Sequence, residues 1–341
     1  MNAARWPREH PDSGRLLHIA PRAGRLDDVL MAELPRMLRP GDLLVLNDAA
    51  TLPAALHGRT EAGAAIELRL VSREEEGTWT AVLFGAGDWR TRTEDRPLPP
   101  HVSPGDRLVL GGLGARVVAV LPPSPRLLRV TFEAQGAALW AALYRAGRPV
   151  QYAHLERPLA LWHIQTAYAA RPWAVETPSA GLPLTWALLL DLKRRGVRLA
   201  SLTHAAGLSS TGDAVLDAAL PRPERFDVPS ATVEAIHDTR AAGGRVVAVG
   251  TTVVRALEGR AAQAGGRLEP GEGVTDLLLG PGFVPRVVDG LLSGMHEPGT
   301  SHFTLLQAFA PVELLRAATV LAEARGYLGH EFGDSCLLLD P

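Results

Sequence analysis

Two histidines stand where an α/β enzyme places reactive groups. His204 follows the apolar run Val197 to Leu202, and His296 lies in the loop Ser293-Gly294-Met295-His296-Glu297-Pro298-Gly299. Strand ends and glycine-rich loops commonly carry function, and an imidazole can take or give a proton near neutral pH. Taken singly, each is also compatible with an ordinary capped or surface histidine, since the chain has 11. A third candidate is the segment Gly243-Gly244-Arg245-Val246-Val247-Ala248-Val249-Gly250-Thr251-Thr252-Val253-Val254-Arg255-Ala256-Leu257-Glu258, which reads as strand, tight turn and helix start. Free amides and the positive dipole end would let Gly250-Thr251-Thr252 hold a phosphate or carboxylate, with Arg255 one turn further on. Plain βα capping accounts for the same residues. The segment is neither a Walker loop nor a dinucleotide fingerprint, because GxxxxGK[ST] and GxGxxG are both absent.

Other chemistries find less support. His296 and His302 are wrongly spaced for two ligands on one helical face, HExxH is absent, and the single cysteine, Cys336, excludes a cysteine-based zinc cluster, so no metal is expected. No Gly-x-Ser-x-Gly elbow occurs. Asp276, Asp289 and Asp334 each adjoin an apolar segment near a turn, where capping competes with function. Arg90, Arg92 and Arg96 beside Trp89 form a candidate nucleic-acid contact, but Glu94 and Asp95 interleave them as in a solvated loop.

The elements that must position these residues divide into two groups. The chain has 341 residues, enough for about two domains at roughly 150 each. At 46% hydrophobic and 21% charged residues with a net charge of -2, it can bury a sizeable core and is neither disordered nor a charge-driven polyanion binder. From Gly41 to about Phe132, short strands (Asp42 to Leu46, Ile66 to Leu70, Trp79 to Phe84, Arg107 to Leu110, Arg116 to Leu121, Leu127 to Phe132) alternate with Gly/Pro turns, which predicts a small all-β barrel over about 55–140. After Tyr152, helices alternate with strands, which predicts a larger α/β domain of residues 1–54 and 141–341. Thr185 and Ser230 read as helix N-caps, with strands expected at Val197 to Leu202, Arg245 to Val249, Thr275 to Leu279 and Cys336 to Leu339, and a helix over Pro311 to Arg325. One cysteine suggests reducing cytosol, and the charged N-terminus and the lack of long apolar runs predict neither a leader nor a membrane span. All but one of the 35 basic residues are arginine, the exception being Lys193, a bias that fits high-GC coding.

In order and spacing, a series of segments resembles the S-adenosylmethionine:tRNA ribosyltransferase-isomerase (QueA) family over most of the chain. The resemblance is carried by Gly41-Asp42-Leu43-Leu44-Val45-Leu46-Asn47-Asp48 with Leu52-Pro53-Ala54, by Gln165-Thr166-Ala167-Tyr168-Ala169, and by Thr177-Pro178-Ser179-Ala180-Gly181-Leu182. It continues through the whole 243–258 segment, Thr275-Asp276-Leu277 with Pro281-Gly282-Phe283, Val287 to Leu292 leading to His296 and Pro298, and Gly333-Asp334. No short piece is decisive alone.

The resemblance implies a larger α/β domain with a mixed sheet plus a smaller β-barrel domain. It also implies a reaction in which the ribosyl part of S-adenosylmethionine passes to the aminomethyl group of a 7-deazaguanine in tRNA. The product is an epoxycyclopentane, adenine and methionine leave, and no metal or redox cofactor takes part because the cosubstrate is consumed. A base is then needed beside the sulfonium-acidified C5′ and a proton or hydrogen bond for adenine, roles for which His204 and His296 are the candidates. Ser179, Gly181, Gly250, Thr251, Thr252, Arg255 and Asp276 are the expected substrate contacts. The chain departs from the family where Asn47-Asp48-Ala49-Ala50-Thr51 and Ala55 replace a run with two arginines, where Pro183 replaces a histidine, and at His204-Ala205-Ala206-Gly207 and Gly294-Met295-His296. Two alternatives stay open: an S-adenosylmethionine-dependent enzyme acting on a small amine, and a noncatalytic binding protein of the same fold. Oligomeric state is not legible.

Overall fold

An unbroken apolar strand, Leu43–Asn47, organises the molecule. All five residues are buried. Alternation sends Leu43 and Val45 into one apolar layer and Leu44 and Leu46 into another, so helices must cover both faces. In the computed structural model, which describes residues 1–74 and 77–341, this strand is central to a nine-stranded mixed sheet. The spatial order is Gly271–Thr275, Glu224–Val228, Arg198–His204, Leu43–Asn47, Val246–Val249, Gly290–Gly294, Ser335–Leu338, Arg15–Ala20, Arg25–Leu30. The four strands from Arg198–His204 to Gly290–Gly294 are mutually parallel. Their carboxyl ends therefore meet along one edge, with Asn47 and His204 at two of them.

The helix Trp186–Arg194 buries Leu188, Leu189 and Leu192 against one face. Ser230–Ala241, Thr251–Gln263 and Val312–Ala324 cover the other, through residues such as Ile236, Val254, Leu257 and Leu315. Six further strands, Ala55–Thr60, Ala65–Arg73, Trp79–Phe84, Arg107–Leu110, Leu113–Val120 and Leu127–Phe132, close into an antiparallel barrel around Leu68, Leu83, Leu108 and Val130. Closure removes free strand edges. The fold is thus the expected class, a mixed α/β sheet with a smaller all-β barrel. No described helix is long and apolar enough to cross a membrane.

Local readings hold where side-chain chemistry is decisive. The Thr185 hydroxyl accepts from the Leu188 amide at 3.3 Å, as an N-cap should. Ser230 does not cap: Pro229 takes that place and Ser230 is the first helical residue. The strand expected at Thr275 to Leu279 lies earlier, at Gly271–Thr275, because it pairs along Glu224–Val228, a strand whose charged sequence hid it. The helix Gly136–Ala146 begins inside the 55–140 stretch read as all-β and runs past its end.

One buried carboxylate fixes the approach to the fourth parallel strand. Glu258, 2% exposed, accepts the amides of Arg286, Val287 and Val288 at 2.9–3.1 Å, and no cation pairs with it among the described residues. Removing the carboxylate would strand buried N–H groups, each worth about 1–3 kcal/mol. Glu258→Ala is expected to lower unfolding free energy by about 3 kcal/mol in urea titration, with Glu258→Gln intermediate because its one oxygen still accepts.

Candidate functional site at the carboxyl edge of the sheet

His204 ends its strand with 0% exposure, and neither ring nitrogen has a hydrogen-bond partner among the described residues. Buried polar groups are almost always paired, so an orphaned imidazole calls for a reason. Its Nε2 lies 3.6 Å from Glu224 Oε2, beyond hydrogen-bond reach. Burial, reinforced by the nearby Arg255 guanidinium, pushes its pKa down to about 3, so the ring is neutral at physiological pH. The backbone, by contrast, is firmly held. The His204 amide donates to Asn47 Oδ1 at 2.9 Å, and the His204 carbonyl accepts from Asn47 Nδ2 at 3.0 Å.

Arg255, only 5% exposed, is spent on structure. Its Nε donates to the Leu277 carbonyl at 3.1 Å, and its terminal nitrogens bond Glu224 and the carbonyls of Arg222 and Thr275. The expected role as a direct anion contact therefore gives way to that of a clamp joining helix, strand and loop. Glu224 also accepts the Gly207 amide at 2.7 Å. Burial raises its pKa, against the pull of Arg255.

The helix start is as expected. Gly250 has φ of 89°, a left-handed conformation that glycine adopts without strain, and the helix begins at Thr251. The Thr252 hydroxyl receives a 3.2 Å bond from Asn47 Nδ2. Ser179, Ala180 and Gly181 form a short helical turn packed against this start: a Cβ on Gly250 would sit 3.4 Å from the Ala180 methyl. Gly181 cannot carry a side chain, because its Cβ would meet the Tyr168 hydroxyl at 2.1 Å. Burial, with the Asp48 charge, raises that phenol's pKa.

His296 lies just past Gly290–Gly294, half-buried, with Nε2 2.9 Å from Ser293 Oγ. Its ring stacks on that of His302 at 4.8 Å and 13°. Burial lowers the pKa of both; His302 also depresses His296, and Arg255 also depresses His302. Arg255 is thus close enough to act on both His204 and His302. Asp276 does not join the cluster: it is exposed, and its carboxylate has no bond among the described residues, although the carbonyls on either side of it receive Arg255.

Sequence reading missed Asn47, Glu224 and His302 as site residues. Asn47 was visible only as part of a motif, and Glu224 lies in an unread strand. A cleft of about 120 Å³ runs between barrel and sheet, lined in part by Trp79, Trp140, Trp173, Arg73 and Arg222, and it reaches the cluster through Glu224. The basic cluster beside Trp89 is no free cationic patch. Arg90 pairs with Asp88, Arg92 with Glu94, and Arg96 is buried on Glu67.

The family model for queuosine biosynthesis protein matches residues 1–338. An S-adenosylmethionine:tRNA ribosyltransferase-isomerase of Acidiphilium cryptum is 37% identical over 338 residues, covering 96% of this chain and 92% of that protein. One from Anaeromyxobacter dehalogenans is 38% identical over 336 residues, covering 96% and 93%. The crystal structure of S-adenosylmethionine tRNA ribosyltransferase from Thermotoga maritima, 28% identical, aligns with a TM-score of 0.53 over 99% of this chain and 96% of that one.

An orphaned imidazole should cost stability. Its folded pKa lies below the unfolded value of about 6.5, so the unfolded chain binds more protons between about pH 3 and 6.5, and stability there rises with pH. His204→Phe fills the same space without polar atoms. It is expected to melt at or above the parent temperature at pH 7, and to show a shallower loss of stability from pH 6.5 to 4 in calorimetry.

Proposed function

The chain belongs to the queuosine biosynthesis protein family, and from that membership we propose that it is an S-adenosylmethionine:tRNA ribosyltransferase-isomerase. It transfers and isomerises the ribosyl moiety of S-adenosylmethionine onto 7-aminomethyl-7-deazaguanine in tRNA, giving epoxyqueuosine and releasing adenine and methionine. The similarity spans nearly the full length of both chains, which favours the whole reaction over a retained fold alone. The cosubstrate is consumed, and no further cofactor is required. Its tRNA substrate puts the enzyme in the cytoplasm.

The observation that carries the mechanism is His204, neutral and without partners at the carboxyl edge of a parallel sheet, where α/β proteins bind ligands. A neutral imidazole can accept the C5′ proton that the sulfonium acidifies, and Glu224, 3.6 Å from Nε2, stabilises the imidazolium that results. The ring is sealed from solvent, so substrate meets it only when its surroundings open. His296, less buried and linked to Ser293, faces the departing adenine. The amides at Gly250-Thr251-Thr252 and the Ser179–Gly181 turn hold the methionine carboxylate or a tRNA phosphate. The cleft beyond Glu224 is lined by tryptophan and arginine side chains, residue types that RNA-binding surfaces use.

The test is incubation with S-adenosylmethionine and tRNA bearing the aminomethyl-deazaguanine base, with free adenine and methionine quantified. Equimolar release with tRNA is expected. Release only with a small amine would move the acceptor to a small molecule, and cosubstrate binding without turnover would make the chain a binding protein. His204→Phe and His296→Ala should each lose about 10²-fold or more in kcat, in the range of general acid–base contributions. Parental rates in both would refute the assigned roles. Because the pKa values of both histidines lie well below 6.5, the acid limb of kcat/KM is expected well below pH 6, and a limb centred near 6.5 would count against these bases.

A further inference from the structure

His154, His330 and Glu331 converge from two distant parts of the chain. One ligand atom from each lies within 4.8 Å of the others, and His154 Nε2 is 3.0 Å from Glu331 Oε2. The two imidazoles face one another at 4.3 Å between centroids with a 32° tilt. We propose that His154, His330 and Glu331 form a binding site for one zinc-class divalent cation that ties the segment returning from the barrel to the turn before the last strand.

The donor set suits that ion. Two imidazoles and a carboxylate are ligands that Zn²⁺ takes in tetrahedral sites, with water in the fourth position. Donors around one ion at about 2 Å sit roughly 3.3 Å apart, so the present spacing needs only side-chain rotation, chiefly of the exposed His330.

The backbones beneath the ligands are already fixed. His154 precedes Leu155 and Glu331 precedes Phe332, and both apolar neighbours are buried in one cluster with Ala4, Leu159 and Ile164. The return segment is thus packed onto the C-terminal turn before any ion arrives. His330 adds a second sign of construction. Its φ is 66°, the left-handed region, and among the described residues it alone adopts positive φ without being glycine. A bulky residue held there costs of order 1–3 kcal/mol, the kind of strain that accompanies function. Glycine would fit without penalty, yet the position carries an imidazole aimed at a second imidazole and a carboxylate. The next residues include Asp334, which accepts from Arg8, the Arg15 amide and the Leu328 amide at 2.6–2.8 Å, so an ion here would brace a turn that already anchors the N-terminal strand.

The test is titration of chelator-stripped protein with Zn²⁺ by calorimetry and with Co²⁺ by visible absorption. One ion per chain at micromolar or tighter affinity is expected, with the d–d bands of tetrahedral Co²⁺ and a rise in melting temperature on Zn²⁺ addition. His154→Ala and Glu331→Gln should each weaken binding at least about tenfold, a loss that even outer-shell changes can cause. His330→Gly should do the same while the metal-free protein melts at or above the parent temperature, because the substitution relieves the backbone as it removes the ligand. Absence of saturable one-ion binding, or equal binding by a His154→Ala/His330→Gly variant, would overturn the proposal.

Discussion

Four hydrogen bonds from one buried amide hold the candidate site together. Asn47 ends the central strand, and its oxygen accepts the amides of His204 at 2.9 Å and Ala49 at 3.1 Å. Its nitrogen donates to the His204 carbonyl at 3.0 Å and the Thr252 hydroxyl at 3.2 Å. An amide has two acceptor lone pairs and two N–H groups, so every one of them is used. Aspartate of the same shape would offer no donors and would face the His204 carbonyl with a charge. Parallel strands leave their carboxyl ends unlinked by any short turn, and Asn47 supplies the missing link between two strands and a helix start.

What the sequence made legible follows from how local each signal is. The Leu43 to Leu46 run announced a strand, though not that both its faces are buried, and Val246 to Thr252 announced strand, glycine turn and helix, because each depends on residues within one turn of one another. Thr185 was readable for the same reason. Glu224–Val228 was not, since its Glu-Arg-Phe-Asp-Val sequence looks like surface, and only two flanking strands, with Arg255 reaching Glu224, make it part of the sheet. Arg255 shows the same limit in reverse. One turn into a helix, with an anion site suspected at its start, it read as a ligand contact, whereas a carboxylate and carbonyls distant in sequence consume its donors. The Asn47 amide was legible as a motif member and not as a hub, because its partners lie 157 and 205 positions away.

Some residues build the site, and others remain free to act. Asp42 holds Arg245 through Nε at 3.1 Å and through a terminal nitrogen at 2.6 Å, and also accepts the Arg39 amide at 2.8 Å, which ties the starts of two parallel strands together. Glu258 does comparable work for the loop leading to the fourth. These charges are fully engaged and leave nothing over for a substrate. His204 is the opposite case, its backbone locked and its ring bonded to nothing.

That asymmetry is difficult to explain as packing. A leucine or phenylalanine at the end of the strand would bury comparable volume without leaving two polar atoms dry, and natural cores discard such liabilities unless something offsets them. Violations of local consistency concentrate where function requires them. The surroundings of His204 act in the same direction: burial and the Arg255 charge keep the ring neutral, while Glu224, shared between Arg255 and the Gly207 amide, stands just out of hydrogen-bond reach. A ring held neutral by burial gains a proton only when a nearby anion can answer the new charge. Glu224, 3.6 Å from Nε2, is the carboxylate placed to do so, and in the proposed reaction a small shift at the strand end would couple proton uptake to ion pairing.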